Sequence, residues 1–428
     1  MRYSKLFGKT QKQISKEIES KSHQLLVKAG FVDQLAAGIY TWLPLGKKSL
    51  SKIDEIIRTQ MNAIGGQEIT MPILHPKKNW VQTGRWDSVD ILFKLKSTHG
   101  AQYALGPTHE EVITPLVAKY INSYKDLPIF LYQIQTKLRD EPRAKSGVIR
   151  GREFGMKDMY SFHTDQKDLA SFYQKVIDAY LNIFSQCGLE AKVTEASGGE
   201  FTKKYSHEFL VISPAGEDTV IYCPNCTFAQ NKEISKFKAT DPCPKCSGEL
   251  AADKAIEVGN IFDLETKFSK DFNLTYLDKS GKKEYVYMGC YGLGDTRLVG
   301  AIVENNHDEL GIIWPEKIAP YKLHLISISS RKIDQKIREN KNTSNLENPA
   351  KVAEDLYKDL TLNNIEVLFD DRKDTTPGQK LVDADLIGCP YKLVISQKSL
   401  SAGGFELTKR GQNESKIVTR DQLLETLL

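Results

Sequence analysis

Residues 139–154 combine cations, a carboxylate and an aromatic ring at spacings that could hold a polyanion. Arg139 and Glu141 stand two residues apart. After a loop come Arg150, Arg152 and Phe154. An arginine fork can hold a phosphate through two parallel hydrogen bonds. A carboxylate can accept from an exocyclic amine, and a phenylalanine ring can stack on a base. The pattern indicates a site for a phosphate chain carrying a flat base, and a solvated, salt-bridged hairpin is the structural alternative.

The elements around this stretch are predicted to be a hairpin. Residues 131–139 alternate apolar and polar side chains, which is the period of a strand. Pro142 and Gly147 punctuate a loop. We expect a second strand to start at Val148 and to run to Met156. Side chains two apart on a strand share a face, so Arg139 is expected to point the same way as Glu141.

A second candidate lies at Thr108 and Glu110. The hydroxyl of Thr108 could orient a substrate, and the carboxylate of Glu110 could pair with an ammonium group. The alternative is a helix capping box formed by Thr108 and Glu111 before an apolar run. Both interpretations can hold together, with Glu111 serving the cap.

Two pairs of cysteines have the spacing of a metal site. They are Cys223, Cys226, Cys243 and Cys246, with 16 residues between the pairs. Two such knuckles predict a closed, four-thiolate zinc site that is structural rather than catalytic. Such a site would stabilise a segment too short to build its own core. Unpaired thiols are the alternative.

A glycine run precedes an arginine in Gly289–Arg297. Glycines let a nucleotide approach the backbone closely, and Arg297 could hold a phosphate. The signal is weak alone, but a predicted strand precedes it and an apolar helix follows. Asp295 is unusual beside an anion, so it either binds metal or faces away.

Size and composition favour a globular protein of two domains. The chain has 428 residues and a net charge of +4, which allows a nucleic-acid partner without demanding one. It shows neither an apolar run of membrane-spanning length nor a signal peptide, so a cytoplasmic protein is expected. Strand and helix alternate from Pro320 onward, which predicts a separate α/β domain. We predict a catalytic domain over 1–318, with the cysteine knuckles in an insert at 215–255, and a second domain over 319–428.

The arginine stretch resembles motif 2 of the class II aminoacyl-tRNA synthetases. The pattern is Arg139-x-Glu141 followed by Arg150-x-x-x-Phe154-x-x-x-Asp158. The run RDEPRAKSGVIRGREFGMKDMYSFH is similar to the prolyl-tRNA synthetases in particular, and the resemblance covers nearly the whole chain. It implies an antiparallel sheet flanked by helices and a C-terminal α/β anticodon-binding domain. A long helix followed by a strand resembles motif 1, the usual dimer interface, so a homodimer is expected.

The resemblance also implies roles for individual residues. Arg139 would hold the α-phosphate and the amino-acid carboxylate, Glu141 would read the adenine amine and Phe154 would stack on the base. Arg297, in the glycine run that looks like motif 3, would cover the other face and the γ-phosphate. Arg150 or Arg152 would reach the phosphates. The implied amino-acid pocket contains Thr108, Glu110, Arg139, His207, Phe209 and Cys290. ATP, magnesium, L-proline and tRNA(Pro) are the implied ligands.

The resemblance is incomplete between motifs 2 and 3. Many bacterial prolyl-tRNA synthetases carry a large domain there that hydrolyses mischarged alanyl-tRNA, and this chain has only the knuckle segment. We therefore expect no editing by the protein itself. Three rival interpretations stay open: a sister synthetase for threonine or serine, a synthetase-like RNA-binding protein without catalysis, and a zinc-ribbon nucleic-acid-binding module.

Overall fold

The computed structural model describes residues 1–15, 18, 20–328, 348–412 and 414–428. Within these residues the chain forms two compact units. The smaller unit contains Met1–Asp33, Thr41–Ser51 and Asn306–Leu428, and the larger unit contains Gln34–Tyr40 and Lys52–Asn305. The functional boundary predicted between residues 318 and 319 stays a prediction, because compactness does not assign a role to either side.

The helices are, in chain order, α1 (Lys21–Lys28), α2 (Pro44–Ala63), α3 (Lys77–Gln82), α4 (Glu110–Val117), α5 (Gln166–Gln186), α6 (Lys267–Asp271), α7 (Asp295–Asn305), α8 (Pro349–Leu362), α9 (Pro377–Ile387), α10 (Gln397–Ser401) and α11 (Arg420–Leu427). The strands are β1 (Val32–Ala36), β2 (Ile39–Trp42), β3 (Gln67–Glu68), β4 (Leu74–Pro76), β5 (Lys94–Lys96), β6 (Gln102–Leu105), β7 (Ile129–Leu138), β8 (Glu153–His163), β9 (Ala191–Ala196), β10 (Ser206–Ile212), β11 (Asp218–Tyr222), β12 (Ala229–Asn231), β13 (Ala251–Glu265), β14 (Thr275–Leu277), β15 (Lys283–Tyr285), β16 (Tyr287–Leu293), β17 (Leu323–Ile328), β18 (Val367–Asp370), β19 (Tyr391–Ser396), β20 (Phe405–Lys409) and β21 (Ser415–Val418).

The larger unit is built on a mainly antiparallel sheet of nine strands in the order β10-β9-β12-β11-β13-β16-β8-β7-β3. Helix α5 packs on this sheet with an apolar face that includes Leu169, Phe172 and Val176. Its first turn is capped by Asp165, whose side chain accepts from two backbone N–H groups. The sheet and α5 together fix the positions of β7, β8, β13 and β16, which are neighbours in the sheet.

One end of this sheet closes on itself. Strand β10 pairs with β9 and also with β13, while β11 pairs with β12 and β13. Strand β12 completes the ring by pairing with β9 in parallel, where Gln230 lies opposite Glu195. The cysteine-knuckle segment therefore supplies two strands, β11 and β12, of a closed ring of five.

The smaller unit has the α/β pattern predicted for the C-terminal domain. Its sheet has the order β18-β17-β19-β20-β21, with β17, β18 and β19 parallel. The core between sheet and helices includes Leu325, Leu356 and Leu393. In the loop after β18, Arg372 forms ion pairs with Asp370 and Asp383 at 2.6 and 2.8 Å. This arginine therefore stabilises its own loop.

Two local predictions were wrong. The second strand of the arginine hairpin begins at Glu153 rather than at Val148, because residues 147–149 form a 3₁₀ turn. The capping box is absent as well: His109 precedes α4, and no side chain caps this helix. Glu111 points instead to an ion pair described below.

Candidate active site

Arg139 lies where three adjoining cavities meet, which we call the inner, the outer and the side cavity. It follows the last residue of β7, and its backbone N–H donates to the carbonyl of Arg152 at 2.8 Å. Its guanidinium donates to the carbonyl of Pro107 at 3.3–3.4 Å and lies 5.1 Å from the ring centroid of Phe154. The part of the chain that the structure describes offers it no ion-pair partner. Burial and the neighbouring Arg297 lower the pKa of Arg139, as expected of a cation placed to receive an anion.

The cavity that we call the inner cavity has a volume of about 180 Å³. Thr108, Phe154, Phe262, Cys290 and Arg297 are among the residues that line it. With Phe201 and Arg139, which also line it, the cavity combines three aromatic rings, two guanidinium groups and a buried thiol, so it can enclose a small apolar group beside a charged one. Most of the predicted site residues thus come together in space.

Glu110 lies under the inner cavity with no exposed surface. Its carboxylate accepts from the Thr108 hydroxyl at 2.6 Å and from the Cys290 thiol at 2.9 Å. Burial and the nearby Glu110 carboxylate raise the pKa of Cys290 well above its usual range. Cys290 therefore acts here as a protonated donor and not as a nucleophile.

A second glutamate, Glu111, is buried beside Glu110 and is paired with Arg85. The Arg85 guanidinium lies 2.8 Å from Glu111 and 3.8 Å from Glu110. Burial raises the pKa of Glu111 to about 7, although Arg85 opposes the shift. Burial alone would lower the pKa of Arg85, but Glu111 and Glu110 raise it above its ordinary value. Arg85 is thus the cation that compensates two buried carboxylates.

The outer cavity, of about 340 Å³, is lined by Glu141, Arg150, Glu217, Glu257 and Arg297 among others. Arg150 bridges Glu141, at 2.9 Å, and Glu217 from the knuckle segment. Arg297 donates to the Glu257 carboxylate at 2.8 Å. Arg150 and Arg297 are therefore each paired with a carboxylate. An incoming phosphate would compete with these carboxylates.

A buried network holds the base of the hairpin. Lys137 donates to Asp158 at 2.6 Å, and Gln133 donates to the other oxygen of Asp158 at 3.0 Å. Burial would raise the pKa of Asp158, but Lys137 and these hydrogen bonds outweigh it and lower the pKa below its ordinary value. The network locks β7 to β8 beneath Arg139 and Phe154.

Besides Glu110, four residues that the sequence singled out near the nucleotide and amino-acid sites lie apart from the lining of the three cavities. His207 accepts from or donates to the Tyr173 hydroxyl at 2.9 Å, and Phe209 is fully buried with its ring 5.0 Å from that of Tyr180. Both partners belong to α5, so this face of β10 points to the helix. Arg152 donates to the carbonyls of Glu141 and Ala37.

Asp295, the fourth of these residues, starts α7 and is buried against Gly155. A Cβ atom on Gly155 would come within 2.2 Å of its carboxylate. Burial and Asp54 raise the pKa of Asp295 well above its usual range. The sequence left open whether Asp295 binds a metal or faces away from the nucleotide. Its buried position fits a side chain that faces away.

The four knuckle cysteines converge as predicted. Their sulfur atoms all lie within 4.8 Å of one another. Cys223 and Cys246 are 3.5 Å apart, and Cys226 and Cys243 are 3.6 Å apart. Four thiolates at about 2.3 Å from one tetrahedral ion would be roughly 3.8 Å apart. Backbone N–H groups of Asn225 and Lys245 point to Cys223 and Cys243. The cluster fits one tetrahedral metal ion.

Comparisons with known proteins define the class. Residues 93–306 match the tRNA synthetase class II core domain for the G, H, P, S and T enzymes, and residues 325–428 match the anticodon-binding domain. A solved structure of a prolyl-tRNA synthetase from Giardia lamblia, in complex with prolyl-adenylate, covers 92% of this chain and 73% of its own at a TM-score of 0.75 and 20% identity. The fold is therefore that of a class II synthetase with an anticodon-binding domain, as predicted.

Curated relatives narrow the class further. A proline–tRNA ligase from Dehalococcoides mccartyi is 35% identical over an alignment that covers 100% of this chain and 98% of the relative. One from Desulforamulus reducens is 32% identical, with 98% and 97% covered. The chain belongs to the proline–tRNA ligase family. The first alignment has 577 positions against the 428 residues here, so that relative carries a long segment that this chain lacks.

Sequence reasoning missed Arg85, Glu257 and Phe201 as neighbours of the site. Arg85 stands between two tryptophans, Trp80 and Trp86, and two adjacent glutamates at 110–111 require a cation when buried. Both signals are present in the sequence, but a single sequence does not show that Arg85 and the two glutamates are in contact. No helix of the described residues has the length and hydropathy to span a membrane.

Proposed function

We propose that this protein ligates L-proline to tRNA(Pro) through a prolyl-adenylate, with the residues of the three cavities in the roles given below. The observation that carries the proposal is the position of Arg139 at the junction of the cavities, where its guanidinium has no ion-pair partner among the described residues. On one side of Arg139 is the outer cavity, with Arg150 and Arg297. On the other side is the inner cavity, with the buried Glu110 carboxylate at its base.

In the first step the proline carboxylate oxygen attacks the α-phosphorus of ATP. The bond from that phosphorus to the bridging oxygen breaks, and pyrophosphate leaves. Arg139 neutralises the reacting carboxylate and α-phosphate, Phe154 stacks on the adenine and Arg297 binds the γ-phosphate. No protein nucleophile is needed, so catalysis is orientation and charge neutralisation. In the second step a hydroxyl of the terminal tRNA ribose attacks the acyl carbon, and AMP leaves.

The amino group of proline is assigned to Glu110. A secondary ammonium offers two hydrogen-bond donors, and Glu110 holds its carboxylate against the Thr108 hydroxyl and the Cys290 thiol at the base of the inner cavity. The pyrrolidine ring then lies beside Phe262, Gly259 of β13 and Gly292 of β16. His207 and Phe209 would support this pocket from β10, where they pack against Tyr173 and Tyr180 of α5.

Two metal ions belong to the proposal. Glu257 and Asp218 line the outer cavity and offer the oxygen ligands that magnesium prefers when it neutralises ATP phosphates. Zinc fits the four cysteines and would stabilise the knuckle segment. Since free tRNA and ATP are the substrates, we expect the protein to act in the cytoplasm. We expect a homodimer because α2 and β3 resemble motif 1.

The proposed function is tested by amino-acid-dependent pyrophosphate exchange. We expect exchange with proline to exceed that with threonine or serine by about 10²-fold in kcat/KM, which is the discrimination that a mainly apolar pocket reaches against an added hydroxyl. Preferential exchange with threonine or serine would assign the protein to a sister synthetase. Absence of exchange with every amino acid would support a non-catalytic RNA-binding role.

A further prediction concerns alanine. A pocket shaped for proline rejects a smaller amino acid by only ~1–3 kcal/mol per missing methylene. We therefore expect detectable alanine-dependent exchange and no deacylation of alanyl-tRNA(Pro) by this protein. Release of alanine from preformed alanyl-tRNA(Pro) should match the rate in buffer alone, with prolyl-tRNA(Pro) as the control substrate. Rapid loss of the alanyl ester with this protein alone would contradict the prediction.

A further inference from the structure

The loop that joins β9 to β10, residues 197–205, reaches the amino-acid side of the candidate active site. Its Phe201 lines the inner cavity together with Thr108 and Cys290. It also lines the side cavity, of about 350 Å³, together with Arg85 and Thr108. Phe201 therefore forms part of the wall between an enclosed pocket and a larger open space.

The ring of Phe201 is held between a cation and a second ring. The Arg85 guanidinium carbon lies 4.7 Å from its centroid, and the Phe262 ring centroid lies 4.7 Å away at an interplanar angle of 34°. Trp80 and Phe268 also face Arg85, at 5.3 and 5.5 Å. A guanidinium over an aromatic face is an attractive contact that strengthens when water is excluded. The ring thus has a defined position.

Arg85 connects this wall to the carboxylates below the pocket. The same guanidinium that faces Phe201 pairs with Glu111 at 2.8 Å and approaches Glu110 at 3.8 Å. Glu110 is the group assigned to the substrate amine. One arginine therefore positions both the charged base and the apolar wall of the pocket.

The loop itself is anchored at several points. The Ser206 hydroxyl donates to the carbonyl of Ser197 at 2.8 Å, and the backbone N–H of Ser197 donates to Glu233 of the knuckle segment at 3.0 Å. Lys267 donates to the carbonyl of Glu200. A Cβ atom on Gly198 would come within 2.2 Å of the Lys204 carbonyl, so the loop is folded tightly on itself.

We infer that Phe201 is a specificity-determining residue, which limits the size of the amino-acid ring that the inner cavity accepts, and that Arg85 is the positioning residue that holds it there. The inference rests on the proposed function, because it assumes that the inner cavity takes the amino acid. Its physical basis is steric: the Phe201 ring separates the pocket from the side cavity. Without the ring, the pocket opens into that cavity.

The test compares proline with its six-membered-ring homologue, pipecolic acid, in pyrophosphate exchange. One methylene in an apolar pocket changes kcat/KM by roughly 10–200-fold. Phe201→Ala is expected to raise the KM for proline about 10-fold, to leave the KM for ATP within about twofold, and to raise the pipecolate-to-proline ratio of kcat/KM about 10-fold or more. Arg85→Lys keeps the charge but loses the planar stacking, so a smaller shift of the same ratio is expected.

Tyr205→Ala is the matched control, since Tyr205 belongs to the same loop and is 61% exposed. Its pipecolate-to-proline ratio should equal that of the wild type. Phe201→Leu serves if the alanine variant does not fold, and a shift of the ratio in the same direction is expected. An unchanged ratio in a folded Phe201 variant would overturn the inference. Failure of the wild type to exchange with proline would instead overturn the proposed function.

Discussion

Arg139→Ala is expected to lower kcat/KM for proline-dependent pyrophosphate exchange by at least about 10²–10³-fold, the usual cost of removing one preorganised charge donor from a transition state. Arg139 lines all three cavities and lacks an ion-pair partner among the described residues. Its charge is therefore available to the reacting carboxylate and phosphate. Removing it also leaves Arg297 as the main cation over the pocket.

The measurement should separate kcat from KM for both substrates. Arg139→Lys keeps the charge but loses the fork geometry, so it should recover only part of the activity. Arg143→Ala is the matched control, because Arg143 is an exposed arginine of the same loop and is expected to leave exchange within about twofold. An Arg139→Ala variant with near-wild-type exchange would refute the role assigned to this residue.

The second large effect is expected from loss of the metal at the four-cysteine cluster. We expect the purified protein to contain one zinc per chain, and Cys223→Ser or a strong chelator to remove it. The apolar core of the segment is small, comprising Ile221, Phe228, Leu250 and a few neighbours, so the loss should destabilise the segment by several kcal/mol. Thermal unfolding followed by calorimetry, with metal analysis on the same samples, measures both effects.

Loss of the metal should also reduce activity. The knuckle segment contributes Glu217, which pairs with Arg150, and Glu233, which binds the loop of Phe201. Cys187→Ala is the control, since this buried cysteine lies at the end of α5 and outside the cluster. It should retain one zinc per chain. Full metal content and unchanged unfolding in Cys223→Ser would contradict the assignment of this cysteine as a ligand.

The sequence predicted the long regular elements well because their periodicity is carried by many residues. Strand β7 begins and ends close to where the alternation over 131–139 placed it, and strands and helices alternate after Pro320 as the pattern predicted. The start of β8 was misjudged. Val148 and Ile149 have the β-branched character of a strand, but both are buried, and they pack against Gly300 of α7. The local sequence pattern cannot predict a contact between residues about 150 positions apart.

The residues of the candidate site also fall into those that the sequence predicted and those that it missed. Arg139, Phe154 and Arg297 were identified because a motif fixes their spacing along the chain. Arg85 was not, because its importance arises only when the fold brings it against Glu110 and Glu111. Glu111 illustrates the converse error: its position fits a capping box, but burial beside a cation outweighs a cap worth about 1 kcal/mol.

The closed ring of β9 to β13 bears on the solubility of the protein. A strand with unpaired N–H and C=O groups is a template for pairing with another chain, and closure removes such edges. Strand β12 is three residues long and reaches β9 through Gln230 and Glu195. If it detached from a metal-free segment, β9 and β11 would each gain an open edge. Zinc depletion would then cause concentration-dependent self-association, which light scattering could detect even while the remaining strands stay folded.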